Sequence, residues 1–250
     1  MTKRPLIVVP TYNEVDTVER VLAGIDRHAP GAEVLFVDDG SSDGTRDRIR
    51  GWQSGGGRRV HLIERPRKLG LGTAYVAGFR WALERDHDAL LGMDADLSHD
   101  PADLPRLLAF PRGCDVAIGS RYVPGGGTVN WGPGRRLLSR WGNAYARTVL
   151  GLPLLDLTGG FNAWRRPVLE TVALDSIRSE GYAFQIELKL LAWRAGFALH
   201  EVPITFVDRR VGQSKMSWRI ALEAVVRVWS LRWRSGAPIR SGAPGSRGRR

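Results

Sequence analysis

The sequence predicts an α/β fold in which helices flank a central, mostly parallel β-sheet. Short runs rich in Val, Ile and Leu alternate along the chain with segments whose apolar residues recur at helical spacing. Such runs are typical of parallel strands, because helices cover both faces of a parallel sheet. Polar residues follow several of these runs directly, at the strand ends where open α/β sheets bind ligands.

The first half of the chain consists of repeated strand–helix units. The segment AEVLFVDDGSSDGT, for example, begins as a strand, continues through carboxylates, Gly and Ser, and leads into a helix. Strands are predicted at residues 5–12, 33–37, 60–66, 89–96 and 115–122, and helices at residues 14–28, at 72–86 and between the second and third strands.

The pattern changes from about residue 124 onward. A Gly-rich connection at 124–136 is expected to be mobile, and TGGFNAWRR at 158–166 is predicted to be irregular. Helices are predicted at 135–151 and 181–196, and a late strand at 200–210. The chain divides into a main domain at residues 1–216, an amphipathic helix at 217–234 and a basic tail at 235–250 whose Gly, Ser, Pro and Arg content predicts disorder.

The net charge of +11 is concentrated at the C-terminal end of the chain. Residues 209–250 contain ten Arg and one Lys against Glu223 alone, which leaves a charge of only +1 on the rest. A basic end can contact nucleic acid, anionic lipid or a phosphorylated ligand. Because the main domain is nearly neutral, a nucleic-acid-binding protein is the least favoured class.

The single cysteine and the lengths of the apolar segments exclude two further classes. Cys114 alone cannot form an intrachain disulfide, which fits a reducing cytosol, and we expect it to serve packing. No signal peptide is predicted. No membrane span is predicted either, since residues 220–231 are too short and contain Glu223 and Arg227.

Residues 217–234 predict an amphipathic helix with two possible roles. Trp and aliphatic side chains cover most of its surface, and the polar stripe consists of Arg219, Glu223, Arg227, Ser230 and Arg234. Such a helix can lie at a membrane interface, with Trp at the headgroup boundary and Arg on anionic lipid. It can equally pack on its own domain with its Arg side chains in water, and the sequence leaves both roles open.

Two acidic pairs stand at the ends of predicted strands. Asp94 and Asp96 are one residue apart, and Mg²⁺ is typically held by one or two carboxylates together with substrate phosphates. Asp38 and Asp39 end another strand, where carboxylates can bind ribose hydroxyls. Together the two pairs favour a nucleoside diphosphate ligand.

Other interpretations of these loops remain open. A pair of loop carboxylates by itself is a weak signal for a metal site. DDGSSDGT is also typical of a helix N-cap formed by Asp43 or Ser42. His99 is expected to be a solvated loop residue rather than a ligand. The chain contains no GxxxxGK[ST] segment, which argues against a P-loop nucleotidase.

Eight segments, taken in order, resemble one known family. VVPTYNE, VDDGSSDGT, KLGLGTAY, MDADLSHD, GSRYV, TGGFNAW, GYAFQIE and DRRVGQSKM resemble the polyprenol (dolichyl) phosphate mannosyltransferases, which are inverting family-2 glycosyltransferases of the GT-A, Rossmann-like fold. The resemblance extends from about residue 5 to residue 218. It implies that residues 1–216 form a catalytic domain that transfers mannose from GDP-mannose to a polyprenyl monophosphate and releases GDP.

The resemblance also implies which residues bind the donor. Asp94 and Asp96 would hold it together with Mg²⁺ or Mn²⁺, and Asp96 is implied to be catalytic. Ser98 matches a further metal-ligand position that is Gln in some relatives, so a water could bridge the shorter side chain. Gln185 replaces a Lys of some relatives. The implied donor contacts are Pro10, Tyr12, Glu14, Val37, Asp39, Asp94, Ala95, Gln185, Arg209 and Lys215.

On the acceptor side, the resemblance implies that Arg121, Arg135 and Ser139 hold the phosphate and that Arg121 is catalytic. A phosphate monoester has a second pKa near 6, so at pH 7 it is already a largely dianionic nucleophile and needs no general base. The two arginines would position the phosphate and offset its charge. The alternative role for Arg121 is a surface salt bridge.

Two related activities remain open: transfer of glucose from UDP-glucose to polyprenyl phosphate, and formation of a polysaccharide. For the implied mannosyltransferase, the expected partners are GDP-mannose, a polyprenyl phosphate lipid and a membrane surface. A membrane-embedded partner subunit is a further option, and nucleic acid is not an expected partner. We expect a cytoplasmic protein that associates peripherally with the inner face of the membrane.

Overall fold

Two β-sheets and their covering helices make up the part of the chain that the computed structural model describes, residues 2–54, 59–177, 179–208 and 227–233. The strands are β1 (Pro5–Thr11), β2 (Glu33–Asp38), β3 (Val60–Glu64), β4 (Ala89–Gly92), β5 (Val116–Ser120), β6 (Gly127–Val129), β7 (Asn162–Arg165), β8 (Leu199–Pro203) and β9 (Thr205–Val207). The helices are α1 (Val18–His28), α2 (Thr45–Ser54), α3 (Leu71–Leu83), α4 (Leu104–Leu108), α5 (Pro133–Leu150), α6 (Arg166–Thr171) and α7 (Gly181–Arg194), with a helical segment at 227–233.

The central sheet has seven strands in the order β3–β2–β1–β4–β7–β5–β8. Every neighbouring pair is parallel except the two pairs that include β7. Strands β6 and β9 form a separate parallel pair. The predicted mostly parallel sheet flanked by helices is therefore confirmed.

Both faces of the central sheet are buried, which explains the continuous apolar runs. Successive residues of a strand point to opposite faces. In β1, Leu6 and Val8 pack in one core with α3 and α7, whereas Ile7 and Val9 pack in a second core with α1 and α4. Each strand of this kind needs apolar residues at every position.

The prediction that residues 158–166 are irregular was wrong, because they contain β7. This strand has four residues and runs antiparallel between β4 and β5, so that Ala163 is opposite both Leu91 and Ala117. Four residues are too few to show a periodicity. Hydrogen bonds to two neighbouring strands, rather than a local pattern, stabilise the strand.

The predicted late strand at 200–210 is two strands in the described residues, separated by Ile204. β8 completes the central sheet, and β9 leaves it to pair with β6. The Gly-rich connection at 124–136 therefore contains a short strand that was not predicted. This second sheet places the connection beside the carboxyl end of β5.

The described part of the C-terminal helix packs on the domain. Val228 and Leu231 are buried in the core that also contains residues of α5 and α7. Trp229 and Trp233 are 45% and 76% exposed. The rest of the predicted helix at 217–234 and the predicted tail at 235–250 lie outside the described residues. Among the helices of the described ranges, none combines the length and the apolar character needed to cross a bilayer.

We expect α3 to tolerate no side chain at Gly78. A Cβ there would lie 2.4 Å from Val8 Cγ1 of β1, and Val8 is fully buried. Although alanine favours a helix by about 1 kcal/mol, overpacking should lower the free energy of unfolding of Gly78→Ala by about 1–3 kcal/mol.

The matched control is Gly142→Ala in α5, where nothing lies within 4 Å of the added carbon. It should raise the free energy of unfolding by about 0.5–1 kcal/mol. Equilibrium urea denaturation measures both variants, and equal effects would contradict the close contact of α3 with β1.

Candidate active site

The predicted site residues that end or follow strands β1, β2, β4 and β5 lie along one edge of the central sheet. The register pairs Thr11 with Asp38 and Val8 with Gly92, so that β1, β2 and β4 end at the same edge. β5 also ends there, directly before Arg121, and the antiparallel β7 begins there. The topology therefore brings the acidic loops and the predicted phosphate-binding arginine to one side of the molecule.

Two hydrogen bonds hold Asp94 in place. Its backbone N–H donates to His99 Nδ1 at 3.0 Å, and the Tyr75 hydroxyl donates to its Oδ1 at 3.2 Å. His99 is buried and stacks on the ring of Phe161 with centroids 4.6 Å apart. The expectation that His99 is solvated was therefore wrong, because the ring serves as a fixed support for the Asp94 loop.

A strained turn connects Asp96 to Ser98. The Ser98 N–H donates to Asp96 Oδ1 at 3.0 Å, and Leu97 between them has a φ of 63°, a conformation that costs a leucine of order 1 kcal/mol or more. The Ser98 side chain is buried, and its Oγ has no hydrogen-bond partner in the described residues. The turn fixes both groups beside Asp94.

The donor set of this loop fits Mg²⁺ or Mn²⁺ shared with a diphosphate. In the described ranges no group of three or more His, Cys, Asp or Glu could hold a metal ion by itself. Mg²⁺ in phosphate-binding sites typically takes one or two carboxylates and fills its other positions with phosphate oxygens and water. Asp94 and Asp96 supply such a pair, and the unpartnered Ser98 Oγ is a further candidate oxygen.

Asp39 organises the loop on the nucleotide side. It is buried, and its Oδ1 accepts from Arg65 Nη1 at 2.5 Å while its Oδ2 accepts from the N–H groups of Leu69 and Gly70 at 3.1 and 2.9 Å. A carboxylate has about four acceptor positions, so three internal bonds leave room for one ligand hydroxyl. Arg65 was not predicted, and it fixes the carboxylate.

The other predicted donor contacts differ in what they offer. Tyr12 is 41% exposed beside the carboxyl end of β1, and Lys68 Nζ lies over its ring, 4.0 Å from the centroid. Val37 and Ala95 are both buried. Because the Val37 side chain lies in the core, only the backbone of Val37 can contact a ligand. Pro10 lies near the carboxyl end of β1, and Glu14 follows that strand. The remaining predicted donor residues, Arg209 and Lys215, lie outside the described residues.

Arg121 forms a buried ion pair with Asp156. Its Nε and Nη2 donate to the two carboxylate oxygens, each at 2.7 Å, and Nη2 also donates to Thr158 Oγ1 at 2.7 Å. Burial raises the pKa of Asp156, but the charge and hydrogen bonds of Arg121 outweigh this effect and lower that pKa below its ordinary value. The alternative of a surface salt bridge is therefore wrong, since both side chains are buried.

The three predicted acceptor residues converge around an aromatic cluster of Tyr122, Trp131 and Phe206. The Arg121 guanidinium carbon lies 5.3–5.5 Å from the three ring centroids. Arg135 lies 4.2 Å from the Trp131 centroid, and Ser139 Oγ accepts from the Tyr122 hydroxyl at 2.6 Å. Both guanidinium groups thus lie near the Trp131 ring, and the Ser139 hydroxyl is bonded to Tyr122 of the same cluster. Phe206 also contacts His99 edge-on at 5.7 Å, which connects this cluster to the acidic loop.

Residues 156–160 connect the acidic loop, which is Asp94–Ser98, to the arginine cluster, which is Arg121 and Arg135. Buried Lys189 holds the backbone of this segment in place. Lys189 Nζ donates to the backbone oxygens of Asp156, Leu157 and Gly159 at 3.3, 3.0 and 2.8 Å. At the far end, Gly160 lies beside Asp94 and the amide of Gln185. Gln185 Oε1 in turn accepts from Asn162 Nδ2 at 3.1 Å, which ties the predicted donor residue to the start of β7.

Asp156 and Lys189 were not predicted, although one sequence signal was present. Lys189 follows Gln185 by four residues on α7, which places both on one face of a helix whose other residues are mostly apolar. A lysine is almost never fully buried unless it is paired. The position of Asp156 carries no such pattern, because its partner is 35 residues away in sequence.

Comparison with solved structures identifies the class of fold. Glucosyl-3-phosphoglycerate synthase from Mycobacterium tuberculosis, in complex with Mn²⁺, UDP and phosphoglyceric acid, matches with a TM-score of 0.66 over 94% of this chain and 80% of that chain, at 20% identity. The complex of the same enzyme with UDP matches with a TM-score of 0.63. The architecture is that of a GT-A glycosyltransferase.

Sequence comparison then identifies the family. The model of glycosyl transferase family 2 matches residues 6–173. An undecaprenyl-phosphate mannosyltransferase of Micrococcus luteus is 47% identical over 92% of this chain and 96% of the relative, and a polyprenol monophosphomannose synthase of Mycolicibacterium smegmatis is 46% identical over 93% and 89%. The chain belongs to glycosyl transferase family 2, and the protein is a glycosyltransferase.

The buried Lys189 predicts a pH dependence of stability. Burial lowers the pKa of Lys189 to about 7, against the opposing charge of Asp156, whereas an unfolded chain holds a lysine proton up to about pH 10.4. Between these values the unfolded state binds one more proton, so this group makes the free energy of unfolding rise with pH from about 7 upward.

Lys189→Met should lack this rise. Urea denaturation of both proteins between about pH 6 and pH 9 measures the difference, which should grow in favour of the wild type on the alkaline side. A difference that is independent of pH would show that the three carbonyl oxygens keep Lys189 protonated throughout.

Proposed function

We propose that the protein transfers mannose from GDP-mannose to a polyprenyl monophosphate with inversion at the anomeric carbon, using Mg²⁺ or Mn²⁺. The observation that carries the proposal is the convergence of Arg121, Arg135 and Ser139 beside the acidic edge that holds Asp94. A dianionic phosphate suits two guanidinium groups and a hydroxyl, whereas a sugar hydroxyl acceptor does not need them. The names of both relatives support a polyprenyl phosphate acceptor and mannose as the sugar.

The donor would occupy the acidic side of the edge. Tyr12 and Asp39 would contact the nucleoside, and Asp94 and Asp96 would hold the cation, which offsets the charge that grows on the GDP leaving group. Tyr75 and His99 keep Asp94 in place, so the pair is preorganised. The same residue types would also hold UDP, so the base remains the part of the donor that most needs a direct test.

The acceptor needs orientation rather than activation. Its phosphate oxygen forms the bond to the anomeric carbon as the bond from that carbon to the diphosphate of GDP breaks, and no proton has to be removed. Arg121 is fixed through Nε and Nη2, and no hydrogen bond in the described residues uses its Nη1. Nη1 would bind the incoming phosphate together with Arg135 and Ser139.

A polyprenyl phosphate acceptor lies in a membrane, so the protein must reach a bilayer surface. We propose a cytoplasmic protein that binds the inner face of the membrane peripherally. The exposed Trp229 and Trp233, four residues apart on the helical segment 227–233, support this location, since Trp favours the headgroup boundary. The proposal requires no partner subunit for transfer to a short, soluble acceptor.

Transfer of radiolabelled sugar tests the proposed reaction. Purified protein with Mn²⁺ or Mg²⁺ and a short-chain polyprenyl monophosphate should make lipid-soluble label from GDP-mannose and not from UDP-glucose. Asp96→Asn should lower kcat about 100-fold or more, because the leaving-group charge is no longer offset. The matched control, Asp100→Asn, replaces a carboxylate that among the described residues accepts only from the Ala102 N–H, and it should change kcat little.

Label from UDP-glucose alone would keep the acceptor and overturn the donor. Label transferred to a sugar hydroxyl and not to the lipid phosphate would instead favour a polysaccharide-forming enzyme.

Neighbouring arginines on α5 test the acceptor site. Arg135 contacts Trp131 and forms an ion pair with Asp208 at 2.5 Å, whereas Arg136 is exposed. Because a charge-assisted hydrogen bond contributes about 1.5–3 kcal/mol, Arg135→Met should raise the KM for a water-soluble acceptor about tenfold to a hundredfold and leave GDP affinity unchanged. Arg136→Met should alter neither value. Equal losses of acceptor and GDP binding in Arg135→Met would contradict the assignment.

A further inference from the structure

Trp131 places an unpartnered hydrogen-bond donor on the acceptor side of the site. Its side chain is 6% exposed, and its buried Nε1–H has no hydrogen-bond acceptor in the part of the chain that the structure describes. Buried polar groups of folded proteins are nearly always hydrogen-bonded, so an unpartnered buried donor needs an explanation. Because an indole N–H can only donate, whatever completes this position must supply an acceptor atom.

The backbone and the neighbouring ring hold Trp131 in place. The residue lies between β6, which ends at Val129, and α5, which begins at Pro133. Directly before it, Asn130 has a φ of 64°, a left-handed conformation that asparagine adopts more readily than most residues. The Trp131 ring packs edge-on against Phe206 with centroids 5.5 Å apart. The indole N–H is therefore a positioned group and not part of a freely rotating surface side chain.

The Trp131 ring contacts both arginines that are proposed to hold the acceptor phosphate. The guanidinium carbons of Arg135 and Arg121 lie 4.2 Å and 5.4 Å from its centroid. Arg135 Nε is a second buried donor without a partner among the described residues. Two unmatched donors on side chains in contact indicate a ligand that carries several acceptor atoms.

The charges of the two arginines are already offset by carboxylates. Asp156 accepts from Nε and Nη2 of Arg121, and Asp208 accepts from Nη1 of Arg135 at 2.5 Å. An anion that binds here therefore depends on the number and direction of hydrogen-bond donors more than on an excess of positive charge. The indole N–H adds one donor without adding a charge.

We propose that Trp131 Nε1–H donates a hydrogen bond to a terminal oxygen of the acceptor phosphate, so that Trp131 binds the acceptor together with Arg121, Arg135 and Ser139. The inference rests on the proposed function, because a phosphate monoester is the acceptor that supplies such oxygens. Of its three terminal oxygens, one forms the bond to the anomeric carbon. The indole holds one of the other two, keeps its own proton throughout, and thereby orients the oxygen that reacts.

Trp131→Phe tests this role, since it removes the N–H and retains an aromatic ring beside both arginines. The KM for a water-soluble short-chain polyprenyl monophosphate should rise about tenfold to a hundredfold, as expected for loss of a hydrogen bond to a charged group, while GDP affinity stays within about twofold. The matched control is Trp52→Phe on α2, where Trp52 is 38% exposed, and it should change neither value. An unchanged acceptor KM in Trp131→Phe, or equal losses of acceptor and GDP binding, would overturn the inference.

Nuclear magnetic resonance of ¹⁵N-labelled protein observes the donor itself. The indole N–H signal of Trp131 is identified by its absence from the spectrum of Trp131→Phe. Titration of the GDP-bound wild type with the same monophosphate should move this proton downfield, because it gains an anionic acceptor. Binding that moves other signals and leaves this one in place would overturn the inference.

The two experiments also separate this inference from the proposed function. A wild type that transfers mannose to the monophosphate without a shift of the Trp131 signal would keep the function and remove Trp131 from the acceptor site. A wild type that transfers no sugar to the monophosphate but shows the shift would overturn the proposed reaction and retain the phosphate contact of Trp131.

Discussion

A buried ion pair between Arg121 and Asp156 is the interaction on which the acceptor side of the site depends. Both charges are removed from water, and breaking such a pair costs about 3–5 kcal/mol, against about 0–1 kcal/mol for an exposed pair such as that of Arg48 with Glu19. The carboxylate also accepts from the N–H groups of Arg121 and Gly159 at 3.0 and 3.1 Å. Asp156 therefore fixes a backbone segment and a guanidinium together, and a charge that is already paired and oriented needs little reorganisation when a phosphate arrives.

The pair also explains how two halves of the site come together. Lys189 Nζ donates to three backbone oxygens of residues 156–159, and Gly160 at the end of that segment lies beside Asp94. The inserted antiparallel strand β7 continues directly from this segment into the middle of the sheet. The acidic loop and the arginine cluster are thus two sides of one rigid connection, which suits a reaction in which a donor and an acceptor must meet at a defined distance.

The parts of the fold that follow from local pattern were predictable, and those that follow from distant contacts were not. The strands β1, β2, β4 and β5 are apolar because both faces are buried, so their sequences identify them. β7 and β9 have four and three residues and are stabilised by their neighbours. In the site, Asp94 was predicted from an acidic pair at the end of a strand, and Arg121 and Arg135 were predicted from a family resemblance. Asp156, Arg65 and the buried ring of His99 depend on Arg121, Asp39 and Phe161, partners that are 35, 26 and 62 residues away in sequence, and no periodicity reveals contacts at that distance.

The measurement that tests this account most directly is the KM for a water-soluble polyprenyl monophosphate in Asp156→Asn. This variant keeps the size of the side chain and the charge of Arg121, and it removes the charge that orients the guanidinium. We predict that the KM for the acceptor rises about tenfold or more, as expected for loss of one charge-assisted contact, while the KM for the sugar donor stays within about twofold. Equal increases in both values, or no change in either, would contradict the role of the ion pair in holding Arg121 for the acceptor phosphate.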